Sequence, residues 1–191
     1  MLRKISASLL FAGLLLWALT VQTHVPLLTL AAILIHEAGH LLAAHLMHMK
    51  PSGVSADTVG IRLLFRGVPP SYGKEILLCA AGPAANVFSL LIALPLCQEN
   101  GGFFLSVSAA LAILNLLPIE GFDGGRILHS TLCLWLAPDT ADRISQVFSF
   151  LFLFVLWCVS VYLLMRTGSE LSLFLFSAAL FFRIFLQKKA P

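Results

Sequence analysis

The sequence predicts an all-α, polytopic membrane protein of six transmembrane helices, with a short re-entrant β-hairpin allowed after the second. Composition carries the class: 59% of the 191 residues are hydrophobic and 11% charged, where a soluble domain carries about a quarter charged. Arrangement carries the architecture, because the apolar residues collect into runs near the roughly 20 residues that cross a bilayer. The placement of basic residues then fixes an orientation. A single membrane-embedded domain covering residues 1–191, with short loops, accounts for the whole length.

The first span, residues 5–21, follows Arg3-Lys4. It is long for a signal-peptide core and no small-x-small cleavage site follows it, so it is expected to stay as a helix. The second, 26–47, holds His36, Glu37 and His40. A more polar interval rich in Gly, Pro and Ser follows, and within it Val54 to Phe65 has the composition of the hairpin. Backbone of that kind at membrane depth has to be buried in protein or line a wet cavity. The third span, 76–96, ends at a Gln98-Glu99-Asn100-Gly101-Gly102 turn, and the fourth, 103–117, stops at Pro118. Residues 119–126 read as loop and 127–136 as a segment too short to span. The fifth, 144–165, and sixth, 171–186, are aromatic-rich and almost uncharged.

With six spans and both termini in the cytoplasm, every Lys and Arg except Arg166 falls on the cytoplasmic side, as the positive-inside rule requires. Adding or removing a span spoils this split. The net charge of +3 is not gathered into a stripe that follows phosphates, so nucleic acid is excluded as a partner. Cys79, Cys97, Cys133 and Cys158 form no C-x-x-C pair and read as buried thiols.

The residues that carry chemistry interrupt the second apolar run. His36-Glu37-Ala38-Gly39-His40 matches H-E-x-x-H. On a helix, positions i and i+4 lie about 40° apart, so both imidazoles reach one metal ion, and Glu37 is placed to take a proton from water. Each ionisable side chain at mid-membrane depth costs about 2.5–3.5 kcal/mol on insertion scales. Three within five positions are retained only if they coordinate something. A catalytic zinc takes three protein ligands and leaves a position for water, so a further His, Asp or Glu is required. Asp123, between Phe122 and Gly124-Gly125, is preferred to Glu120, because the glycines let the backbone turn and bring a short carboxylate close. A turn or N-cap residue for the helix beginning near Arg126 is the structural alternative for Asp123. His45 and His48 lie about 180° and 120° from His36 around the helix, and His24 and His129 sit outside the motif, so none is assigned to the metal.

Three motifs in order, His36-Glu37-x-x-His40, Gly82-Pro83-x-x-Asn86 and Asn115-x-x-Pro118-x-x-x-x-Asp123-Gly124, resemble the site-2 protease family of intramembrane zinc metalloproteases (peptidase family M50). The resemblance is closest to the branch typified by stage IV sporulation protein FB, without the C-terminal CBS domain common in that branch. It implies one Zn2+ held by His36, His40 and Asp123, with Glu37 activating water. For Asn86 and Asn115 it implies contacts to substrate backbone or to the developing oxyanion. A cross-helix amide bond for Asn86 and a bracing role for Asn115 stand as alternatives.

The implied reaction is cleavage of a peptide bond in or beside a transmembrane segment of a membrane-associated protein. The resemblance extends this to regulated intramembrane proteolysis of a sigma-factor precursor or anti-sigma factor in a bacterial cell membrane, with an inhibitory membrane partner. A non-proteolytic metal-binding membrane protein, such as a transporter or sensor, is the competing class, but it has no need for Glu37. A prenyl-protein peptidase shares H-E-x-x-H but takes a glutamate third ligand, against the Asn115-to-Gly124 motif.

Overall fold

A computed structural model describes residues 25–49, 51–57, 60–65, 71–95, 102–167 and 171–186. The expected first span, 5–21, His24 and Cys97 lie outside the described residues. In chain order the elements are α1 (Val25–Leu46), β1 (Pro51–Asp57), β2 (Gly60–Phe65), α2 (Tyr72–Ala93), α3 (Gly102–Leu116), α4 (Asp123–Cys133), α5 (Pro138–Thr167) and α6 (Leu171–Leu186). The chain divides into two compact units, 1–116 and 117–191.

Among the described residues, three helices are long and apolar enough to cross a membrane, within α1, α2 and α5. The other expected spans are shorter helices, 15 residues for α3 and 16 for α6. At 1.5 Å per residue the latter reaches about 24 Å, against a hydrocarbon core of about 30 Å. α5 is 30 residues long and extends beyond its apolar run. Its first turns carry Asp139, Asp142 and Arg143, which the membrane core would not hold.

In the first unit α1 packs on α2 and α3, and α2 on α3. At Gly39 α1 approaches α2 closely. A Cβ there would meet the Ala81 carbonyl oxygen and lie 2.7 Å from Ala85 Cβ. Small residues at Gly39, Ala81 and Ala85 let two helices touch backbone to backbone, which is how membrane helices gain dispersion energy without a hydrophobic driving force. α1 ends in a Schellman motif: Met49 N–H donates to Ala44 O at 2.9 Å and His48 N–H to His45 O at 3.0 Å. His48 takes the left-handed position, φ 54°, that glycine most often fills. β1 and β2 form an antiparallel hairpin in which Asp57 pairs with Gly60 across a two-residue connection, with an irregularity near Pro51 and Gly53.

In the second unit α5 packs on α4 and α6. Ser160 and Ser177 hydrogen-bond across α5 and α6 at 3.0 Å, both fully buried. Cys79 is fully buried, Cys133 half-buried and Cys158 exposed.

Candidate metal centre

His36 and His40 stand one turn apart on α1, and their side chains turn toward α2. The Nε2 atoms lie 3.2 Å apart, with the rings edge to face at an interplanar angle of 82°. Two nitrogens bound tetrahedrally at the usual zinc distance of about 2.0–2.1 Å are about 3.3 Å apart. The pair therefore already has the separation that a shared ion demands.

The α2 sequence explains how this spacing is held. His40 Nδ1–H donates to the Leu78 carbonyl at 2.8 Å. A carbonyl only accepts, so the bond places the proton on Nδ1 and leaves the Nε2 lone pair facing His36. Gly82 lies where the imidazoles converge. A Cβ on it would overlap His40 Nε2 and come within 2.8 Å of His36 Nε2. Pro83, fully buried inside α2, has no N–H to give the carbonyl of Cys79 one turn earlier. This stretch of α2 thus presents bare backbone to the histidines. Asn86, one turn further on, is fully buried with its amide Nδ2 3.3 Å from His36 Nδ1. The Gly82-Pro83-x-x-Asn86 motif is in this way a wall of the histidine pair. Glu37, between the two histidines on α1, is half-buried.

Asn115 belongs to the same unit, near the end of α3. Its amide Nδ2 donates to the Leu111 carbonyl at 3.0 Å, one turn back on its own helix. Local back-bonding of this kind occupies one amide hydrogen. His45 and His48 are exposed.

Asp123 lies in the second unit as the first residue of α4, and it is buried. The helix begins at Asp123 itself, and the N-cap residue is Phe122, φ −95° and ψ 164°. An acid in the first turn gains from the helix dipole. The loop before it is tightly built. Phe122 N–H donates to Ile119 O at 3.0 Å, and Gly121 turns the chain at φ 107°. Gly125 lies so close beneath that a Cβ would overlap the Ile119 carbonyl oxygen. Glu120 is exposed.

Sequence reasoning missed one residue that holds this loop in place. Ser149, on α5 and 1% exposed, accepts from Glu120 N–H at 2.8 Å and donates to Pro118 O at 3.4 Å. One hydroxyl thus ties down both sides of Ile119, which is itself fully buried. Ser149→Ala leaves a backbone N–H without its partner, at a cost of about 1–3 kcal/mol. The expected outcome is a lower unfolding temperature and weaker zinc binding, read by thermal denaturation and chelator competition. His129 is occupied elsewhere, with Nε2 2.9 Å from Asp142 Oδ1 and Cys133 Sγ at 3.6 Å.

Comparison with known proteins agrees with this picture. The model of peptidase family M50 matches residues 97–158, the stretch that includes α3, the Asp123 loop, α4 and most of α5. No curated protein matches the chain significantly. Among solved structures, the chain is similar to a site-2 protease from Methanocaldococcus jannaschii, at 18% identity and a TM-score of 0.58 over 98% of this chain and 89% of that one. The chain therefore shares the fold of that protease, and the segment bearing Asp123 is the one that matches the peptidase family.

Proposed function

We propose that the chain is an intramembrane zinc metalloprotease of the site-2 protease type, cleaving a peptide bond within or next to a transmembrane segment of a membrane-associated protein. The observation that carries this reading is the His36–His40 pair. Its Nε2 atoms have the spacing of a shared ion, and Glu37 stands between them in sequence. Asp123 completes the donor set as a buried carboxylate in the segment that matches the peptidase family. Two neutral imidazoles and one carboxylate are a donor set suited to catalytic zinc, with a position left for water.

The ion, when bound, lowers the pKa of a water toward about 7 and polarises the scissile carbonyl. Glu37 accepts the proton of the attacking water on its carboxylate and returns it to the leaving amide nitrogen. Leu78 and the bare face of α2 hold the imidazoles while this happens. A helical substrate keeps its amides internally bonded, so it has to unwind locally. The outer edge of the β1–β2 hairpin offers backbone donors and acceptors to an unwound strand. Six spans with both termini in the cytoplasm are the topology that the basic residues support, and the sporulation-branch motifs support a bacterial cell membrane. A sigma-factor precursor or anti-sigma factor as substrate is supported only by the sporulation-branch motifs.

The test is zinc analysis of the purified protein together with co-expression of candidate membrane-tethered substrates. Asp123→Ala is expected to lose zinc and cleavage together. Full zinc occupancy in that variant would remove Asp123 from the donor set.

A further inference from the structure

Asn86 is fully buried, and its side chain has two chemically different ends of nearly the same shape. As placed, Nδ2 lies 3.3 Å from His36 Nδ1, while Oδ1 is buried without a hydrogen-bond partner. A buried acceptor left in this state is destabilising. In that orientation the amide donates to Nδ1, which puts the proton of neutral His36 on Nε2. This proton then fills the 3.2 Å gap toward His40 Nε2, because His40 already carries its own proton on Nδ1, bonded to Leu78 O. The arrangement is self-consistent, and it blocks the nitrogen that a metal needs.

Rotating the Asn86 amide by half a turn reverses the pattern. Oδ1 then accepts from His36 Nδ1–H, and the NH2 takes the place of the oxygen. The Nε2 lone pair of His36 now faces that of His40. Side-chain shape does not distinguish the two orientations, and the proton on the ring decides between them.

The geometry points to Asn86 as a positioning residue that selects the metal-binding tautomer of His36 through its amide oxygen. It matches for His36 what the Leu78 carbonyl does for His40. Metal-ligating histidines commonly donate their second N–H to such an acceptor, and losing that partner typically costs 10–100-fold in metal affinity. The role differs from contact with an oxyanion, which would use the amide as a donor. The inference rests on the metalloprotease reading.

The experiment is zinc affinity by chelator competition on purified, full-length wild type, Asn86→Asp and Asn86→Leu, with the ligand-field spectrum of the cobalt-substituted proteins as a second readout. Asp keeps the acceptor and removes the donor, whereas Leu removes both. Asn86→Asp is expected to hold zinc at least as tightly as wild type, with a wild-type cobalt spectrum. Asn86→Leu is expected to weaken zinc by about 10–100-fold. Wild-type affinity in Asn86→Leu overturns the proposal, and so does a loss in Asn86→Asp. Should Asn86→Leu fail to fold, Asn86→Asp alone decides, because a donor role predicts weakened zinc there and an acceptor role predicts none. Absence of zinc from wild type would overturn the metalloprotease reading as well, whereas equal binding by wild type and Asn86→Leu overturns only the role of Asn86.

Discussion

Replacing Glu37 by Gln is expected to abolish cleavage of a membrane-tethered substrate while zinc binding persists. Gln keeps the size of the side chain and an amide that still hydrogen-bonds, but it cannot take a proton at neutral pH. General acid–base catalysis by a positioned side chain contributes about 10²–10⁴-fold, enough to take a slow proteolytic reaction below detection. The zinc side of the prediction follows from the chain itself: the paired nitrogens belong to His36 and His40, whose spacing is set by Leu78 and the α2 wall. Substrate accumulation on a gel and zinc by elemental analysis check the two halves separately. Persistent cleavage would sink the proteolytic mechanism. Loss of zinc together with cleavage would show that Glu37 acts as a ligand or holds one in place. A metal transporter or sensor predicts a third pattern, with no cleavage even in wild type.

The parts of this site that were legible in sequence are those whose geometry is local. His36 and His40 are one helical turn apart, and a turn is a fixed spacing, so a five-residue string specifies the pair. The loop of Asp123 announced itself through Gly121, Gly124 and Gly125, of which Gly121 takes positive φ and Gly125 a close backbone approach. Ser149 carried no such signal. It lies 29 residues from Glu120 in a helix full of apolar residues, and only the packing of α5 on the loop gives its hydroxyl a purpose. The Leu78 anchor was hidden for a different reason, because a backbone carbonyl has no identity in the sequence.

Helix limits show the same division. The run expected at 76–96 begins at Tyr72, and that expected at 144–165 begins at Pro138. Hydropathy marks where a helix meets lipid, whereas the backbone ladder continues through Lys74, Glu75, Asp139 and Asp142. The 171–186 expectation coincides with α6, whose one charged residue, Arg183, lies in its last turn.

Gly82→Ala is the second large effect expected, and one methyl group is enough to produce it. The added Cβ would occupy the space of His40 Nε2 and stand 2.8 Å from His36 Nε2. Clashes with the tip of a side chain are cheap when the tip can swing aside. Here it cannot, because His40 is held at Nδ1 by Leu78 O at 2.8 Å and His36 is covered by buried Asn86. Moving His40 surrenders its anchor and its tautomer. Moving α2 instead opens the contact at Gly39, where the helices touch backbone to backbone. Either way the Nε2 atoms leave the separation of about 3.3 Å that a tetrahedral ion requires. Zinc affinity is therefore expected to fall by at least the 100-fold upper range seen for loss of a ligand's supporting partner, with cleavage lost in parallel. Over-packing of this kind costs about 1–3 kcal/mol of stability, so a folded variant without zinc is the anticipated result, read by circular dichroism beside chelator competition. Wild-type zinc affinity in a folded Gly82→Ala would show that the imidazoles have slack that their hydrogen bonds do not reveal. In that case the α2 motif would be serving helix packing, not the metal.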